Sequence, residues 1–582
     1  MSQDKFRMVA KTFEGLEDVL RDELLDLHAD NVEIGTRMVS FEGDLRMLYK
    51  TNLCCRTALR ILKPIVMFTA DTTDDLYDYL RDLDWEQFMD SNTTFSVDST
   101  VSGDSFTHSK FVTYRVKDAI VDHFRDKDGS RPSIRLEGAD LQLNVHIAGN
   151  RVTVSLDSSG TPLYKRGYRV DQTDAPINEV LAAGIILKTG WRGDSDFLDP
   201  MCGSGTFLIE AALIAANINP GIYRENFAFE KWKDFDSDLF EEIYNDDSAE
   251  RDFNYKIFGG DIDPEAIAVA RKNIRAAHVE EMVELACQSF TEWNADSPEG
   301  ILVTNPPYGE RLRPANLDQL YRDLGSTLKN NFQGWHAWII GYQENQMREI
   351  GLKPSVKIPL HNGSLDCTLR EYVMFDGEYS EFRAEGGSVS TKASQKIKSE
   401  GPRKVRRISD DDWEKETKKF NRDKGFQGKK DRDQQNRRDG GSKPKREGKD
   451  FHNYRQSDFP ENDTERFGWE REKKSHNRHD NDFKPRREGK FDGGRTDDRS
   501  RQRRDDGSRN RRDGGLKPRR EGNQDNGRRD DGFRQRRDSG SRTSTYKPGN
   551  SHGPRLPKSS ETVINPIYLR KRKNRSFSEE ED

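Results

Sequence analysis

The segment spanning residues 196–217 constrains the fold of this chain more than any other. A short apolar stretch ends at Asp199, a turn containing Gly203 and Gly205 follows at once, and an apolar helical pattern begins directly after that turn. This strand–turn–helix unit is typical of an open, doubly wound α/β sheet, which binds ligands at the carboxyl ends of its strands. Strand and helix patterns alternate through residues 160–382, so we predict a Rossmann-like α/β domain there.

The turn after Asp199 favours S-adenosylmethionine over a nucleoside triphosphate as the ligand. Glycines at this point let backbone N–H groups approach a ligand closely. A phosphate-binding loop would continue as Gly-Lys-Ser/Thr, but Gly205 is followed by Thr206 and Phe207. The order Asp-x-x-x-Gly-x-Gly instead places an acid near the amino-acid end of the cofactor and glycines where the cofactor passes the backbone.

A second acidic residue, Asp261, ends the next predicted strand, 255–260. Asp263 and Pro264 then begin a helix, with a carboxylate at the N-cap and a proline at the first helical position. We expect Asp261 to accept hydrogen bonds from both ribose hydroxyls. It lies farther from the glycine turn than the usual spacing of about 20 residues, and an insertion at 219–254 accounts for the excess. The alternative interpretation of Asp261 is a solvated loop acid.

The sequence Asn-Pro-Pro-Tyr at residues 305–308 follows a predicted strand and indicates methylation of an exocyclic amine. Such an amine is a poor nucleophile because its lone pair is delocalised into the base. We expect the Asn305 side-chain carbonyl and the Pro306 backbone carbonyl to accept its N–H bonds and orient its nitrogen. Tyr308 is then placed to stack on the base, and the prolines stiffen the turn without needing N–H partners. An ordinary proline turn is the alternative, which the upstream cofactor motif disfavours.

Residues 1–157 show a different pattern, in which short strands and helices mix without regular alternation. Helical periodicity begins near Leu16 and again over 111–124, where Arg115 and Lys117 either contact RNA phosphates or solvate the helix. This pattern predicts an α+β region. Strand patterns occur at residues 6–10, 38–41, 94–101, 141–147 and 152–156.

The last third of the chain has a composition that cannot support a packed core. Residues 391–582 carry 56 Lys and Arg against 37 Asp and Glu, whereas the remainder carries 41 against 66. A Lys-Pro-basic-Arg-Glu-Gly unit recurs at 443–448, 484–489 and 517–522 among few aliphatic residues. We predict a disordered Arg/Asp/Gly/Lys-rich tail over 384–582. It either contacts RNA through charge and stacking or serves as a solubility tail.

Several classes of protein are disfavoured. No apolar run approaches the ~18 residues that span a bilayer, and the first residues lack the apolar stretch of a signal peptide. We therefore expect a cytoplasmic protein that does not bind membranes. The cysteines show no CxxC spacing, so neither a disulfide framework nor a metal site is expected. They are Cys54, Cys55, Cys202, Cys287 and Cys367.

The motifs at 199–206 and 305–311 together resemble class I RNA guanine-N2 methyltransferases that carry a THUMP RNA-binding domain. The chain is similar, over roughly residues 4–380, to the N-terminal enzyme of bacterial bifunctional 23S ribosomal RNA methyltransferases. Further matches lie at 175–178, 332–335 and 363–367. The resemblance implies S-adenosylmethionine as the cofactor and large-subunit ribosomal RNA as the partner. The implied domains are a ferredoxin-like piece over 1–43, THUMP over 44–157 and the methyltransferase over 160–382.

The resemblance also implies roles for individual residues. The catalytic residues would be Asn305, Pro306 and Tyr308. The cofactor-binding residues would be Asp199, Met201, Gly203, Gly205, Thr206, Asp261 and Asn178. A second methyltransferase follows in the bifunctional family, but the charged tail stands there in this chain, so methylation of guanine N7 is not expected. The alternatives are the same reaction on transfer RNA, adenine-N6 methylation of DNA, and a non-catalytic RNA-binding factor in ribosome assembly.

Overall fold

The computed structural model describes residues 5–295, 297–309, 316–377 and 410–423, with isolated positions at 382, 384 and 395. These residues contain two seven-stranded sheets, which follow one another along the chain. The predicted class, a Rossmann-like α/β domain preceded by an α+β region, is confirmed.

The first sheet is antiparallel except for one parallel pair at its edge, β5 with β6. Its strands are β1 (Phe6–Lys11), β2 (Asp30–Gly35), β3 (Met38–Gly43), β4 (Arg60–Thr69), β5 (Phe95–Ser102), β6 (Leu141–Ala148) and β7 (Arg151–Asp157). They lie in the order β2-β3-β1-β4-β7-β6-β5. The long central strand β4 joins the two halves of the sheet, because β1 pairs with Arg60–Leu62 and β7 pairs with Leu62–Thr69.

Four α-helices lie in this half of the described chain. They are α1 (Glu17–Asp26), α2 (Leu45–Cys54), α3 (Thr73–Arg81) and α4 (Ser109–Asp128). A capping box between Thr72 and Asp75 starts α3, and Gly129, in a left-handed conformation with φ of +68°, ends α4. The apolar faces of α3 and α4 pack into one core with the sheet.

The second sheet is parallel over five strands and ends in two antiparallel strands. Its strands are β8 (Asp196–Asp199), β9 (Ile257–Asp261), β10 (Val283–Cys287), β11 (Gly300–Thr304), β12 (His336–Gly341), β13 (Val356–Asn362) and β14 (Leu365–Val373). The order is β10-β9-β8-β11-β12-β14-β13. The strands after β8, namely β9 and β10, are added on one side of it, whereas β11 and β12 lie on its other side. The topological switch point therefore lies between β8 and β11, and the carboxyl ends of these two strands are the expected ligand site.

The second half of the described chain contains the helices α5 (Glu179–Thr189), α6 (Thr206–Ala215), α7 (Ser237–Tyr244), α8 (Pro264–Ala276), α9 (Leu317–Asn331) and α10 (Glu344–Glu349). All except α7 cover the second sheet, whereas the buried residues of α7, Leu239 and Ile243, lie in the core of the first sheet. All ten residues of α6 are buried, which fits a helix that follows the glycine turn into the interior. Asp263 caps α8 by accepting a hydrogen bond from the backbone N–H of Glu265, as predicted.

The predicted insertion at 219–254 lies between α6 and β9, but most of its buried apolar side chains belong to the core of the first sheet. Phe227, Phe229 and Trp232 are buried in the core of the first sheet. Tyr49 of α2 stacks on Phe229 with ring centroids 4.5 Å apart. Because these rings are buried against the first half of the chain, the insertion holds the two halves together.

Two parts of the described chain differ from the sequence predictions. The strands β2 and β4 were not predicted. β4 lacks apolar–polar alternation because residues from Ile61 to Phe68 are all buried, and it contains Pro64. Within the region predicted as a disordered tail, Asp410–Asp423 forms a helix, α11. Most of the remaining tail prediction lies outside the described residues.

Among the residues that the structure describes, none of the helices is long and apolar enough to cross a membrane.

Candidate active site

The glycine turn connects the end of β8 to the start of α6. One of its glycines packs closely against a neighbouring helix, whereas the other has free space around it. Gly203 and Gly205 have φ of +51° and +80°, a region that favours glycine. A Cβ on Gly205 would lie 3.2 Å from the Cβ of Ala270 on α8, so the turn packs closely against that helix. The nearest atom to a Cβ on Gly203 would be the Thr173 hydroxyl at 3.7 Å, which leaves room for a ligand.

Asp199 is a buried carboxyl that connects the two strands beside the turn. It is 1% exposed, and its Oδ1 accepts hydrogen bonds from Met201 N at 3.2 Å and from the Thr304 hydroxyl at 2.8 Å. Since Thr304 is the last residue of β11, this bond joins the carboxyl ends of β8 and β11. Burial raises the pKa of Asp199 to about 7, against the opposing effect of the two hydrogen bonds. A cationic ligand group nearby would favour the ionised form.

Asp261, at the end of β9, holds the glycine turn from the other side. One carboxylate oxygen accepts from Gly203 N at 3.0 Å, and the other accepts from Asp263 N at 3.0 Å. Burial raises the pKa of this carboxyl above its ordinary value. A carboxylate oxygen can accept more than one hydrogen bond, so both oxygens retain capacity toward a ligand.

The Asn-Pro-Pro-Tyr segment leaves β11 immediately after Thr304. Asn305 is half-buried, and its Oδ1 accepts a hydrogen bond from the Tyr308 hydroxyl. Tyr308 is 9% exposed and packs in the apolar core of the second sheet, and burial raises its pKa well above the ordinary value. This arrangement does not match the predicted stacking of Tyr308 on a base, because the ring would first have to leave the core. Residues 310 and 311 of the motif lie outside the described residues.

The structure brings most of the predicted site residues to three adjacent strand ends. The cofactor candidates at the end of β8 and in the turn after it are Asp199, Met201, Gly203, Gly205 and Thr206. Asp261 lies at the end of β9, and the catalytic candidates Asn305, Pro306 and Tyr308 lie just after β11. Asn178 is the exception. It is the N-cap of α5, and its side-chain oxygen accepts from Val180 N at 3.0 Å and Leu181 N at 3.4 Å.

Arg169 connects the start of α5 to the glycine turn, and sequence reasoning missed it. Its guanidinium donates to Glu179 Oε1 at 2.7 Å, to the Ser204 hydroxyl at 2.9 Å, to the Thr206 hydroxyl at 2.9 Å and to the Ile177 carbonyl at 3.1 Å. Nothing in the spacing marks this arginine, because its partners lie 8 to 37 residues away in the sequence.

Ile262 was also missed, although a local signal exists. It stands between Asp261 and Asp263 and is 75% exposed, the most exposed of the large apolar side chains in the described chain. An apolar residue between two acids at a strand end is a visible sequence feature, and here it offers a flat ligand ring a contact surface beside the turn.

Other reactive groups near the turn have structural roles. Cys202 is 6% exposed, its backbone N–H donates to Gly260 O at 2.7 Å, and burial raises the pKa of its thiol well above the ordinary value. A thiol held protonated in this way is a poor nucleophile. In the part of the chain that the structure describes, His, Cys, Asp and Glu form no group placed to hold a metal ion.

Three family models match consecutive parts of the chain. The RlmL ferredoxin-like domain matches residues 7–62, the THUMP domain matches residues 70–157, and the RMKL-like methyltransferase domain matches residues 166–371.

The chain is also similar to known proteins over the same region. A Synechocystis protein named "Putative RNA methyltransferase" is 36% identical over 364 residues, covering 62% of this chain and 95% of that protein. The ribosomal RNA large subunit methyltransferase K/L of Desulfotalea psychrophila is 35% identical over 394 residues, covering 66% of this chain but 55% of that protein. This chain thus spans about half the length of its K/L relative. The crystal structure of a "putative methyltransferase complexed with SAH" superposes with a TM-score of 0.59 at 32% identity, covering 65% of this chain and 100% of that one.

Proposed function

We propose that this chain, which belongs to the family of RMKL-like methyltransferases with ferredoxin-like and THUMP domains, methylates the exocyclic N2 of a guanine in large-subunit ribosomal RNA. The observation that carries the proposal is the hydrogen bond between Asp199 and Thr304. It joins the strand end that carries the cofactor motif to the residue immediately before Asn305. This bond supports the proposal because it brings the candidate cofactor residues and the candidate amine-binding residues to one switch point of the sheet.

The residues around the glycine turn fit S-adenosylmethionine, which supplies an electrophilic methyl group on a sulfonium. The ionised carboxylate of Asp199 is suited to the cationic amino-acid end, and the open side of Gly203 leaves space for the cofactor to pass. Asp261 would accept from the ribose hydroxyls with its remaining lone pairs. Ile262 would contact the adenine ring. Met201 and Thr206 would shape the turn, and Asn178 would act through the start of α5.

Asn305 and Pro306 would orient the guanine amine. Asn305 Oδ1 accepts one hydrogen bond from Tyr308 and has a second lone pair that can accept another. Tyr308 thereby holds the amide oxygen in place, and its remaining lone pair would accept from the amine. The Pro306 carbonyl supplies a second acceptor, and two fixed acceptors hold the nitrogen lone pair toward the methyl group. Such preorganised polar groups need no reorientation at the moment of reaction.

The choice of ribosomal RNA draws support from the names of the K/L relatives and from the THUMP match. Transfer RNA is the second candidate substrate for the same chemistry. We also propose a cytoplasmic location, because both candidate substrates are cytoplasmic RNAs.

Nucleoside mapping tests the proposal. Ribosomal and transfer RNA from a deletion strain would be compared by mass spectrometry with RNA from strains that express the wild type or Asn305→Ala. We expect one N2-methylguanosine of 23S RNA to disappear and to return only with the wild type. Loss from transfer RNA would move the substrate assignment to the alternative. No missing methyl group in either RNA would remove the enzymatic function.

A further inference from the structure

Helix α11 has one face turned toward the protein, although it lies in a charge-rich part of the sequence. Five residues at helical spacing are at least partly buried, while the positions between them are exposed. The stripe consists of Trp413, Glu416, Thr417, Phe420 and Asn421. Spacings of 3, 1, 3 and 1 residues place these side chains on one side of an α-helix. The helix therefore has a defined docking face.

This face contacts three strands of the first sheet. The Asn421 side chain donates to Met67 O at 2.6 Å and accepts from Met67 N at 3.3 Å. Glu416 pairs with Arg7 of β1 at 3.4 Å, and the Arg151 guanidinium of β7 lies 5.6 Å from the centre of the Trp413 ring. The Asn421 amide thus bonds both the N–H and the C=O of Met67, as the backbone of a neighbouring strand would do.

The docking site is an open strand edge. β1 leaves β4 after Leu62, whereas β7 continues along the other edge to Thr69. Beyond Leu62, among the described residues, β4 has no strand partner on the β1 side. An uncovered edge presents unpaired N–H and C=O groups to other chains, and native proteins commonly cover such edges. Met67 lies in the middle of this open stretch and is 3% exposed.

The chain that follows α11 is strongly basic. Residues 424–582 contain 45 Lys and Arg against 30 Asp and Glu. The strand that α11 covers runs directly into the THUMP match at residue 70. This segment follows Asp423, the last residue of the docked helix, directly in the sequence.

We propose that α11 is an anchor that docks on the open edge of β4 and starts the basic C-terminal segment at the RNA-binding half of the protein, so that both engage one RNA. This rests on the proposed RNA substrate. Docking keeps the local concentration of basic side chains high near RNA that is already held by the first sheet. Phosphate contacts of this kind add affinity without selecting a base.

The test compares two full-length variants. Trp413→Ala/Phe420→Ala removes the two aromatic rings of the docking face. The matched control, Glu414→Ala/Lys418→Ala, removes an exposed ion pair of the same helix and leaves its net charge unchanged. Hydrogen exchange at the Met67 amide reports docking directly, without RNA or cofactor. Binding of a 23S RNA fragment is measured separately at several salt concentrations.

We expect faster exchange at Met67 in the aromatic variant only. We also expect that variant to bind RNA about three- to tenfold more weakly at low salt, with a shallower salt dependence, while the control matches the wild type. Unchanged exchange in the aromatic variant would show that α11 does not dock there. Faster exchange with unchanged RNA affinity would show that docking does not serve RNA binding. If the wild type binds no RNA, the RNA role and the proposed substrate both fall, while the exchange data still decide whether α11 docks.

Discussion

The carboxyl edge of the second sheet and the α4 face of the first sheet present opposite kinds of surface. At the sheet edge, buried carboxyls such as Asp199 are held by hydrogen bonds to the glycine turn and to the neighbouring strand. On α4, within the THUMP match, Phe111 and Tyr114 are 55% and 41% exposed beside the exposed Lys110. Function at the carboxyl edge of the second sheet depends on a few side chains held in fixed positions. The α4 face instead consists of separate, exposed side chains. Single substitutions should therefore have large effects on the first and small effects on the second.

The largest effect is expected for Asn305→Ala. It removes one preorganised acceptor for the amine, which should cost about 2–4 kcal/mol in the transition state, or roughly 30- to 1000-fold in turnover. Cofactor affinity should be unchanged, because the cofactor residues lie on other strand ends. Single-turnover methylation and calorimetric cofactor binding measure the two quantities. Asn150→Ala, in the turn between β6 and β7, is the control, and near-normal turnover of Asn305→Ala would remove Asn305 from the mechanism.

Asp199→Asn should change how cofactor binding depends on pH. The pKa of the wild-type carboxyl is about 7 because the group is buried, so its ionised fraction falls about tenfold for each pH unit below that value. Wild-type cofactor affinity should follow this fraction between pH 5 and pH 8. The variant should bind more weakly at pH 8 and show little pH dependence. A wild-type affinity that stays constant over this range would contradict the role of Asp199 as the partner of a cation.

Cofactor affinity should rise with pH, but the stability of the cofactor-free protein should fall, because of the same carboxyl of Asp199. Its pKa in the folded protein is raised above the unfolded value of about 3.9, so its stabilising contribution is fully present below about pH 3.9. This contribution is lost as the pH rises through about 7. Thermal unfolding of wild type and Asp199→Asn across this range should show a fall in stability that is smaller in the variant.

A smaller effect is expected for Arg169→Lys. Lysine keeps the charge but cannot bond Glu179, Ser204 and Thr206 together in the fixed fork geometry of a guanidinium. The glycine turn should become less well positioned, which raises KM for the cofactor about tenfold and leaves kcat close to normal. Arg192→Lys is the matched control, since Arg192 is exposed and donates to carbonyls at the far end of α5. A fall in kcat without a change in KM would mean that Arg169 acts on the amine side.

The smallest effect is expected on the α4 face. Phe111→Ala removes one exposed ring and should weaken RNA binding about fivefold, corresponding to about 1 kcal/mol of stacking. The methylated nucleoside should stay the same, because this surface contributes affinity rather than chemistry. Filter binding and nucleoside mapping check the two parts. A hundredfold loss of affinity would show that binding at this surface depends on one side chain, as function does at the edge of the second sheet.

Local sequence signals predicted the parts of the molecule that depend on local physics. The turn at Gly203 and Gly205 needs left-handed backbone, the N-cap at Asp263 needs a short carboxylate, and the strand before Asn305 needs a run of apolar residues. Each of these requirements restricts the residue types within a few positions. For this reason the Rossmann-like domain and the positions of Asp199, Asp261 and Asn305 at strand ends were predictable from sequence.

Contacts between distant segments decided the rest. Thr304 bonds Asp199 across 105 residues, and Asn421 bonds Met67 across 354. Tyr308 turned inward to Asn305 because the core around it accepts the ring, which no pattern within its own segment requires. Periodicity and turn chemistry act within one element, whereas pairing partners and buried polar contacts depend on which elements pack together. The sequence by itself determined what each segment can form, and tertiary packing decided which side chains meet.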